Sequence, residues 1–483
     1  MKELTICRNL FNALNASGVK YCHWKGTANI EKGFIGESDL DIFVHPNDNE
    51  IATSLLEQNG FVHFYTQWGQ RYSFIQDWIG MDNDTGVLIH IHYHNKMMVG
   101  HTGVMEYTYP WENDVLASCI FDNNTGMYII SPEYEALTFF SRLGLEFPNK
   151  KLNKIKQNQY SFTEEAETEL DYIRSNVNEE ELKELFLLYY GEDGLSLFNY
   201  YQVPQLDKSS LKWLRKLTKK YIPHSGFSVL NELKSFYVKF ILRYVFPRQH
   251  IVPRKKIHNS HKGLSIVFVG QDGSGKSVVS SDIRRWLSWK IESRLYYLGF
   301  GEQYKPWSRQ LQERFHNRKD LVSKLISKWL PFYILLQRSK DTVRVIKSAQ
   351  AYIHTGGIAI FDRFPQNKVA GINDGPKIRK LLTPLVKSSF LRRIAHLYER
   401  REERNLEKAI HFEPNIVFKL RITVEETMRR KPSERIESVE EKHEIIETMT
   451  FPNSIVYDID ASMKYEQELI EIKNFIWNNI RKL

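Results

Sequence analysis

A glycine-rich segment near residue 270 constrains the fold more than any other feature of the chain. The apolar run Leu264–Val269 has the length of a buried strand, and helical sequence begins at Lys276. The residues between them, Gly270–Ser277, read GQDGSGKS and fit the spacing G-x-x-x-x-G-K-[ST]. Because a strand that enters a helix through a tight glycine turn is a building unit of parallel α/β sheets, the segment predicts a doubly wound parallel sheet.

The residue types in this loop suit the phosphates of a nucleotide. Glycines permit positive φ and bring backbone N–H groups close to phosphate oxygens, and the following helix adds its N-terminal dipole. Lys276 supplies a positive charge for the β- and γ-phosphates, and the Ser277 hydroxyl is a Mg²⁺ ligand. The sequence therefore predicts ATP and Mg²⁺ as cofactors, bound by Gly270, Asp272, Gly273, Ser274, Gly275, Lys276 and Ser277. The alternative is a chance glycine turn.

Three later apolar runs predict further strands of the same sheet. They are Gly357–Phe361, Asn415–Val424 and Ile455–Ile459, and helical sequence separates them. Asp362 and Arg363 follow the first of these runs directly. Since ligands of doubly wound sheets bind at the carboxyl ends of strands, Asp362 is predicted to hold Mg²⁺ and Arg363 to contact an acceptor phosphate. A helix-capping Asp beside a surface Arg is the alternative.

A cluster of basic residues follows the run that ends at Val424. The segment TMRRKPSER contains Arg429, Arg430 and Arg435. Arginines in this position are predicted to close over the phosphates as a lid and to neutralise charge that develops during transfer. The alternative is a solvated basic helix face.

These segments together resemble the thymidylate kinase family. The family's P-loop, Asp-Arg-aromatic motif and arginine-bearing lid correspond to GQDGSGKS, FDRF and VEETMRRKPSER in this chain, and the resemblance covers Leu264–Leu483. It implies a P-loop kinase that uses ATP, with Asp272 near the acceptor and Arg363 on an acceptor phosphate. It also implies that an arginine of the lid is catalytic.

Two stretches depart from the family pattern. YLGFGEQY stands at Tyr297–Tyr304, and a basic insertion follows at Lys305–Lys347. The run Phe364–Gln366, together with Gly371–Pro376, resembles a divergent branch found in surface-polysaccharide gene clusters. Unphosphorylated acceptors, phospho-sugars and nucleotides all remain open as substrates.

The N-terminal part carries a different pattern. Gly26 and Thr27 are followed, after eleven residues, by Asp39 and Asp41 at the start of an alternating strand. Carboxylates at positions i and i+2 of a strand project from one face, where they grip divalent cations. The spacing resembles the minimal nucleotidyltransferase fold. The resemblance implies that Asp39 and Asp41 are catalytic metal ligands and that Gly26 and Thr27 give room for a triphosphate. The alternative is an exposed acidic strand start.

Such enzymes usually have a third carboxylate, and none is evident in this sequence. The next predicted strand, Val87–His94, instead places His90, His92 and His94 on one face. Because imidazole suits transition metals, these histidines are candidate metal ligands, and His92 is the predicted one. General bases and histidines that only hydrogen-bond in a groove are the alternatives. Without a third acid, a binding-only domain is also open.

Changes in hydrophobic periodicity and composition divide the chain into four parts. We predict a nucleotidyltransferase-like α+β domain at 1–125, a helical domain at 126–246, a basic linker at 247–262 and a P-loop domain at 263–483. The helical part begins with Ser131 as cap and Pro132 at the first position. Its stripe Phe227–Phe246 has two interpretations, peripheral contact with a membrane surface or packing against a neighbouring domain.

The overall composition bears on the partners of the chain and on its cellular compartment. The net charge of +9 over 483 residues leans toward anionic partners such as nucleotides. Three cysteines without CxxC spacing favour a reducing cytoplasm. The sequence contains no run of 18 apolar residues, so no transmembrane segment is predicted.

Two function classes fit these observations. The first is a phosphotransferase that acts on a small phosphorylated acceptor, coupled to the nucleotidyltransferase-like domain, in surface-polysaccharide biosynthesis. The second is an NTPase-regulated nucleotidyltransferase effector that modifies RNA or protein, with the insertion at Lys305–Lys347 in contact with the nucleic acid. A scaffold with both sites inert is the third alternative.

Overall fold

The computed structural model describes residues 4–65, 72, 74–100, 105, 107–146, 164–203, 208–224, 233, 263–298, 321–366, 375–379 and 389–482. The chain divides into two compact units, Met1–Ile257 with Trp477–Lys482, and His258–Ile476. The predicted linker at 247–262 and most of the stripe Phe227–Phe246 lie outside the described residues, as do positions 299–320.

The first unit contains a mixed sheet of seven strands within the described part of the chain. These strands are β1 (Tyr21–His23), β2 (Asp39–Val44), β3 (Val62–Phe64), β4 (Ile75–Met81), β5 (Leu88–His94), β8 (Ile120–Asp122) and β9 (Met127–Ile129); the short pair β6 (Met98–Val99) and β7 (Tyr107–Thr108) forms a separate ribbon. Their order across the sheet is β3-β4-β5-β2-β1-β9-β8. β2 is parallel to β5 and β1 is parallel to β9, whereas the other neighbouring pairs are antiparallel.

Helices precede and follow these strands. They are α1 (Thr5–Ser17), α2 (Ile30–Phe34), α3 (Asn49–Gln58), α4 (Glu112–Ser118), α5 (Pro132–Glu146), α6 (Glu164–Asn176), α7 (Glu179–Tyr190), α8 (Asp193–Gln202) and α9 (Lys208–Tyr221). The structure confirms the predicted strand at Asp39 and the helix that starts at Pro132. α5 packs against α6, α7 and α9.

One apolar cluster joins the sheet to these helices. Cys22 and Phe43 of the sheet are fully buried in the same cluster as Leu182, Phe186 and Leu211 of the helices. Since burial of apolar surface is the main driving force of folding, the sheet and the helices stabilise one another. No boundary between hydrophobic cores therefore falls near residue 125.

The second unit contains a sheet of five strands, all parallel, within the residues that the structure describes. Its order is β11-β12-β10-β13-β14. The strands are β10 (Leu264–Gly270), β11 (Ser293–Tyr296), β12 (Ile358–Phe361), β13 (Ile416–Arg421) and β14 (Ile455–Asp460); the helices are α10 (Lys276–Leu287), α11 (Leu321–His354), α12 (Ser389–Ile410), α13 (Val424–Arg430), α14 (Ile436–Thr448) and α15 (Tyr465–Ile480).

The parallel sheet predicted for this half of the chain is confirmed. β10 lies between β12 and β13, and all seven of its residues are buried. A central strand of a parallel sheet is covered by helices on both faces, which explains why its sequence, LSIVFVG, is almost entirely apolar. Part of the basic insertion, from Leu321 onward, belongs to the long helix α11. Among the described residues, no helix has the length and apolar character needed to cross a bilayer.

Candidate functional sites

The glycine loop joins β10 directly to α10. Gly273 and Gly275 have φ values of 87° and 86°, a left-handed conformation that glycine adopts without steric cost. Gly270 is required for a different reason, since a Cβ there would lie 2.6 Å from the Leu420 carbonyl oxygen on β13. The loop therefore turns sharply beside the carboxyl edge of the sheet. The Gly275 carbonyl accepts from the N–H groups of Val278 and Val279, and the N–H groups of Lys276 and Ser277 precede the first bond of the helix.

Lys276 is the half-buried cation of this loop. Its Nζ donates to the carbonyl oxygens of Gly270 at 2.8 Å and Gln271 at 2.6 Å. Burial and the charge of Arg363 together lower the pKa of Lys276 to about 8, although the charges of Asp272 and Asp362 oppose the shift. An ammonium in this position is held by weak carbonyl dipoles, so an anionic ligand would stabilise it more strongly.

Asp362 and Arg363 stand at the end of β12, next to the P-loop strand. β12 pairs with β10 in parallel, with Val267 opposite Phe361, so Asp362 continues from the same edge. The Asp362 residue is 2% exposed, and the Arg363 Nε lies 3.7 Å from its Oδ2. The Arg363 guanidinium also lies over the Tyr297 ring, 5.1 Å from its centroid. The structure thus brings Lys276, Asp362 and Arg363 together.

The predicted lid arginines differ in their positions. Arg430 donates to the Gly273 carbonyl and to the Ala461 carbonyl, each at 3.0 Å. Arg429 binds Glu426 on its own helix and is exposed, and Arg435 is an exposed residue at the start of α14. One of the three arginines therefore contacts the loop in this conformation. Ser277 is exposed in the first turn of α10, and Ser274 is buried in the loop.

Sequence reasoning missed two residues of α14 that contact the loop. Lys442 Nζ lies 2.6 Å from Asp272 Oδ2 and 2.7 Å from Glu434 Oε2. Burial raises the pKa of Asp272, but the hydrogen bond and charge of Lys442 outweigh it and hold that pKa below 3.8. His443 Nδ1 lies 2.7 Å from the Gln271 amide nitrogen. The loop is therefore tethered to the helix after the lid as well as to the lid itself.

The acidic strand of the first unit faces the histidine strand. In the parallel pairing of β2 and β5, Asp39 lies opposite His90 and Asp41 lies opposite His92. His92 Nδ1 is 2.8 Å from Asp41 Oδ1, while His90 Nδ1 is 2.8 Å from Asp39 Oδ1. The two predicted metal-binding carboxylates thus have different imidazole partners. They do not converge on one point.

A third carboxylate is present, which corrects the expectation that the site lacks one. Asp77 of β4 is 5% exposed, and its Oδ1 lies 2.9 Å from His90 Nε2. His90 therefore bridges Asp39 and Asp77. Although burial lowers its pKa, the hydrogen bonds and charges of the two carboxylates raise the pKa of His90 to about 9. The imidazolium form compensates the two carboxylates.

The glycine of the N-terminal motif also adopts a left-handed conformation, with φ of 70° at Gly26. The resemblance implies that Gly26 and Thr27 leave room for a triphosphate, and the Thr27 N–H is a donor at that turn. In the structure it donates instead to Glu135 Oε1 of α5 at 2.8 Å. Burial and the nearby charge of Glu169 raise the pKa of Glu135 to about 7. A carboxyl group of the chain itself thus occupies the position expected for an anion.

Comparisons with known proteins give a partial match. No family model matches the chain. The uncharacterized ATP-binding protein YghR of Escherichia coli (strain K12) is 26% identical in a 222-residue alignment that covers 42% of this chain and 83% of that protein. The uncharacterized ATP-binding protein YghS of the same strain is 25% identical over 229 residues, covering 42% of this chain and 89% of its own length.

Solved structures were also compared. A deoxyadenosine kinase from M. mycoides with bound dATP aligns with 44% of this chain and 99% of its own, at 16% identity and a TM-score of 0.27. A thymidylate kinase from Candida albicans aligns with 46% of this chain and 95% of its own, also at 16% identity and a TM-score of 0.27. The features of this chain that are typical of P-loop proteins are the buried strand β10, the glycine loop, the helix α10 and the parallel sheet around them.

Proposed function

We propose that the C-terminal unit is an ATP-dependent phosphotransferase that moves the γ-phosphoryl group of ATP to a small phosphorylated acceptor. One observation carries the proposal. Lys276 is the first residue of α10, directly after a glycine loop that follows the buried parallel strand β10. It lies close enough to Asp362 and Arg363 for their charges to affect its pKa. The description of the E. coli relatives as ATP-binding proteins supports the choice of nucleotide.

The residues of the loop suit this chemistry. Lys276 would exchange its two carbonyl partners for β- and γ-phosphate oxygens, and the first-turn N–H groups of α10 would donate to the same polyanion. The Ser277 hydroxyl and the Asp362 carboxylate are the hard oxygen ligands that Mg²⁺ requires, so these two residues would hold the ion. Bound Mg²⁺ supplies charge neutralisation between the transferred and leaving phosphates.

Arg363 and Asp272 are assigned to the acceptor. Arg363 is about one-third exposed beside the buried Asp362, so its fork of donors can reach an incoming phosphate. Asp272 is oriented by the hydrogen bond that it accepts from Lys442. Transfer in such a site needs positioning and charge stabilisation, and no covalent intermediate.

A labelled-substrate assay tests this function. The full chain is incubated with γ-labelled ATP, Mg²⁺ and a panel of nucleoside monophosphates, sugar phosphates and RNA. We expect the label to move to a small acceptor, and Lys276→Ala to abolish the transfer while the exposed-lysine control Lys340→Ala retains it. If no member of the panel is labelled, or if Lys276→Ala transfers as the wild type does, the proposal is wrong.

We propose nucleotidyl transfer as a second activity, located in the N-terminal unit. Asp39 and Asp41 on one face of β2, with the third carboxylate Asp77 two strands away, favour it. The same assay with α-labelled ATP should give transfer that survives Lys276→Ala and is lost in Asp39→Asn. If both activities disappear together in a folded Lys276→Ala chain, the two-site model is contradicted.

The biological setting is part of the same proposal. Activation of a building block for a cell-surface glycan would explain a kinase joined to a nucleotidyltransferase-like unit. The alternative, an NTPase-regulated effector that modifies RNA or protein, predicts α-label on the macromolecule and salt-sensitive RNA binding. The labelled panel separates these two outcomes.

A further inference from the structure

Three side-chain donors in the first unit converge on one point. His92 and His94 project from the same face of β5, and Asp41 of β2 lies directly opposite His92 in the parallel register. Asp41 Oδ1 is 2.8 Å from His92 Nδ1 and 3.6 Å from His94 Nε2, and the two ring nitrogens are 3.2 Å apart.

These separations match a known coordination geometry. Zn²⁺ binds imidazole nitrogen and carboxylate oxygen at about 2.0–2.2 Å, and a tetrahedral arrangement then places neighbouring donors about 3.3–3.5 Å apart. The three distances in the structure bracket that value. We propose that Asp41, His92 and His94 bind one divalent transition-metal ion, and that this site is independent of the P-loop chemistry.

The donor set selects the kind of ion. Mg²⁺ prefers all-oxygen ligands, whereas imidazole nitrogens favour zinc and its neighbours in the first transition row. Two imidazoles and one carboxylate leave at least one position open for water or a substrate oxygen, as in zinc sites that perform catalysis. Asp39 is outside the trio because His90 holds it.

Hydrogen bonding in the trio favours an ion as well. His92 Nδ1 and His94 Nε2 both point at the same oxygen, Asp41 Oδ1. Only one proton can lie between each ring nitrogen and that oxygen. His94 is 1% exposed, and its Nδ1 has no hydrogen-bond partner among the described residues. A cation bound at this point would instead take one lone pair from each of the three donor atoms.

The surroundings hold the site in place and leave it accessible. The Trp24 ring meets His94 edge-on at 5.1 Å between centroids, which fixes the buried imidazole. The side chains of His92 and Asp41 are 26% and 17% exposed, so an ion can enter from solvent on that side. Lys25 Nζ lies 3.0 Å from Asp41 Oδ1 and supplies the positive charge there. A bound ion would displace this ammonium.

Calorimetric titration of the chelator-treated full chain with Zn²⁺ tests the proposal. We expect one equivalent to bind at the trio, and Mg²⁺ at a thousandfold excess not to compete. Loss of a ligand in His92→Gln or His94→Gln should weaken binding by roughly 100-fold or more, beyond the 10–100-fold typical of outer-shell changes. His63→Gln, a histidine on the edge strand β3, is the matched control and should bind as the wild type does. Lys25→Met, which removes the competing ammonium, should bind several-fold more tightly.

Two further measurements keep the test decisive. Far-UV circular dichroism checks that each variant is folded, and His92→Gln serves if the more buried His94→Gln is not. Substitution with Co²⁺ should give the intense visible absorption of a tetrahedral site, lost in the same variants. Absence of a Zn²⁺ site in the wild type, or unchanged affinity in both histidine variants, would overturn the proposal. Either result leaves the kinase proposal untouched, because Lys276 and Asp362 belong to the other unit.

Discussion

The P-loop and the Asp39–Asp41 strand differ in the partners of their charged side chains. Beside the P-loop, Lys276 is bonded to the backbone carbonyls of Gly270 and Gln271, which are weak partners that a phosphate can replace. In the first unit, the carboxylates are already paired with imidazoles or an ammonium. In the glycine turn of the first unit, the Thr27 N–H donates a hydrogen bond to the Glu135 side chain. The P-loop is therefore suited to bind a polyanion. The carboxylates of the first unit are suited to release the Lys25 ammonium and bind a metal cation in its place.

The largest expected effect tests the role of Asp362. Asp362→Asn removes the buried charge beside Lys276 but keeps the shape of the side chain, so the rate of γ-phosphoryl transfer should fall roughly 10²–10³-fold. Steady-state kinetics with γ-labelled ATP measure it. Asp341→Asn, an exposed carboxylate on α11, should stay within about twofold of the wild type. Equal rates for the two variants would remove Asp362 from the mechanism.

The next prediction concerns the internal anion of the first unit. Glu135 has a pKa of about 7 in the folded chain against 4.5 ordinarily, so the folded state retains a proton that the unfolded state releases. The free energy of unfolding should therefore fall as pH rises from about 4.5 to 7, by about 3 kcal/mol in total.

Glu135→Gln keeps the acceptor for Thr27 and removes the charge. This variant should lose that pH dependence and be more stable than the wild type at pH 8, whereas the exposed control Glu184→Gln should retain the dependence. Urea unfolding of the first unit at pH 5 and pH 8 measures both. A Glu135→Gln chain that is less stable than the wild type at pH 8 would contradict the assignment.

The two neighbouring arginines of the lid should behave differently. Arg430 contacts the Gly273 carbonyl, whereas Arg429 contacts only Glu426 among the described residues. Arg430→Ala should weaken ATP binding or turnover about tenfold, the size of one charge-assisted hydrogen bond. Arg429→Ala should change either by less than about twofold. The opposite ranking would mean that the lid reorganises when nucleotide binds.

The smallest expected effect concerns Lys442. Lys442→Met removes the partner of Asp272 and should lower kcat/KM for the acceptor several-fold, with little change in the affinity for ATP. The pH profile gives a second readout, because the pKa of Asp272 should rise when the ammonium is lost. An unchanged profile would show that the contact is only structural.

Sequence patterns predicted the parts of these sites that are contiguous in the chain. Gly270–Ser277 lies in one segment, and the β12 strand leads directly into Asp362, so strand–loop–helix spacing was sufficient. The face shared by Asp39 and Asp41 followed from the two-residue period of a strand.

Contacts between distant segments were not predictable in the same way. Asp77 was missed because its strand, Ile75–Met81, alternates poorly and meets His90 only through the antiparallel register of β4 and β5. Lys442 contacts Asp272 across 170 positions of sequence, on a helix whose orientation no local pattern specifies. Glu135 likewise reaches Thr27 from 108 positions away.

Binding of Mg-ATP to the full chain, measured by calorimetry, tests the central claim most directly. The wild type should bind one equivalent, and Lys276→Ala should bind at least about 100-fold more weakly while its Zn²⁺ titration stays unchanged. Equal ATP affinity in wild type and Lys276→Ala would show that the glycine loop between β10 and α10 is not the nucleotide site.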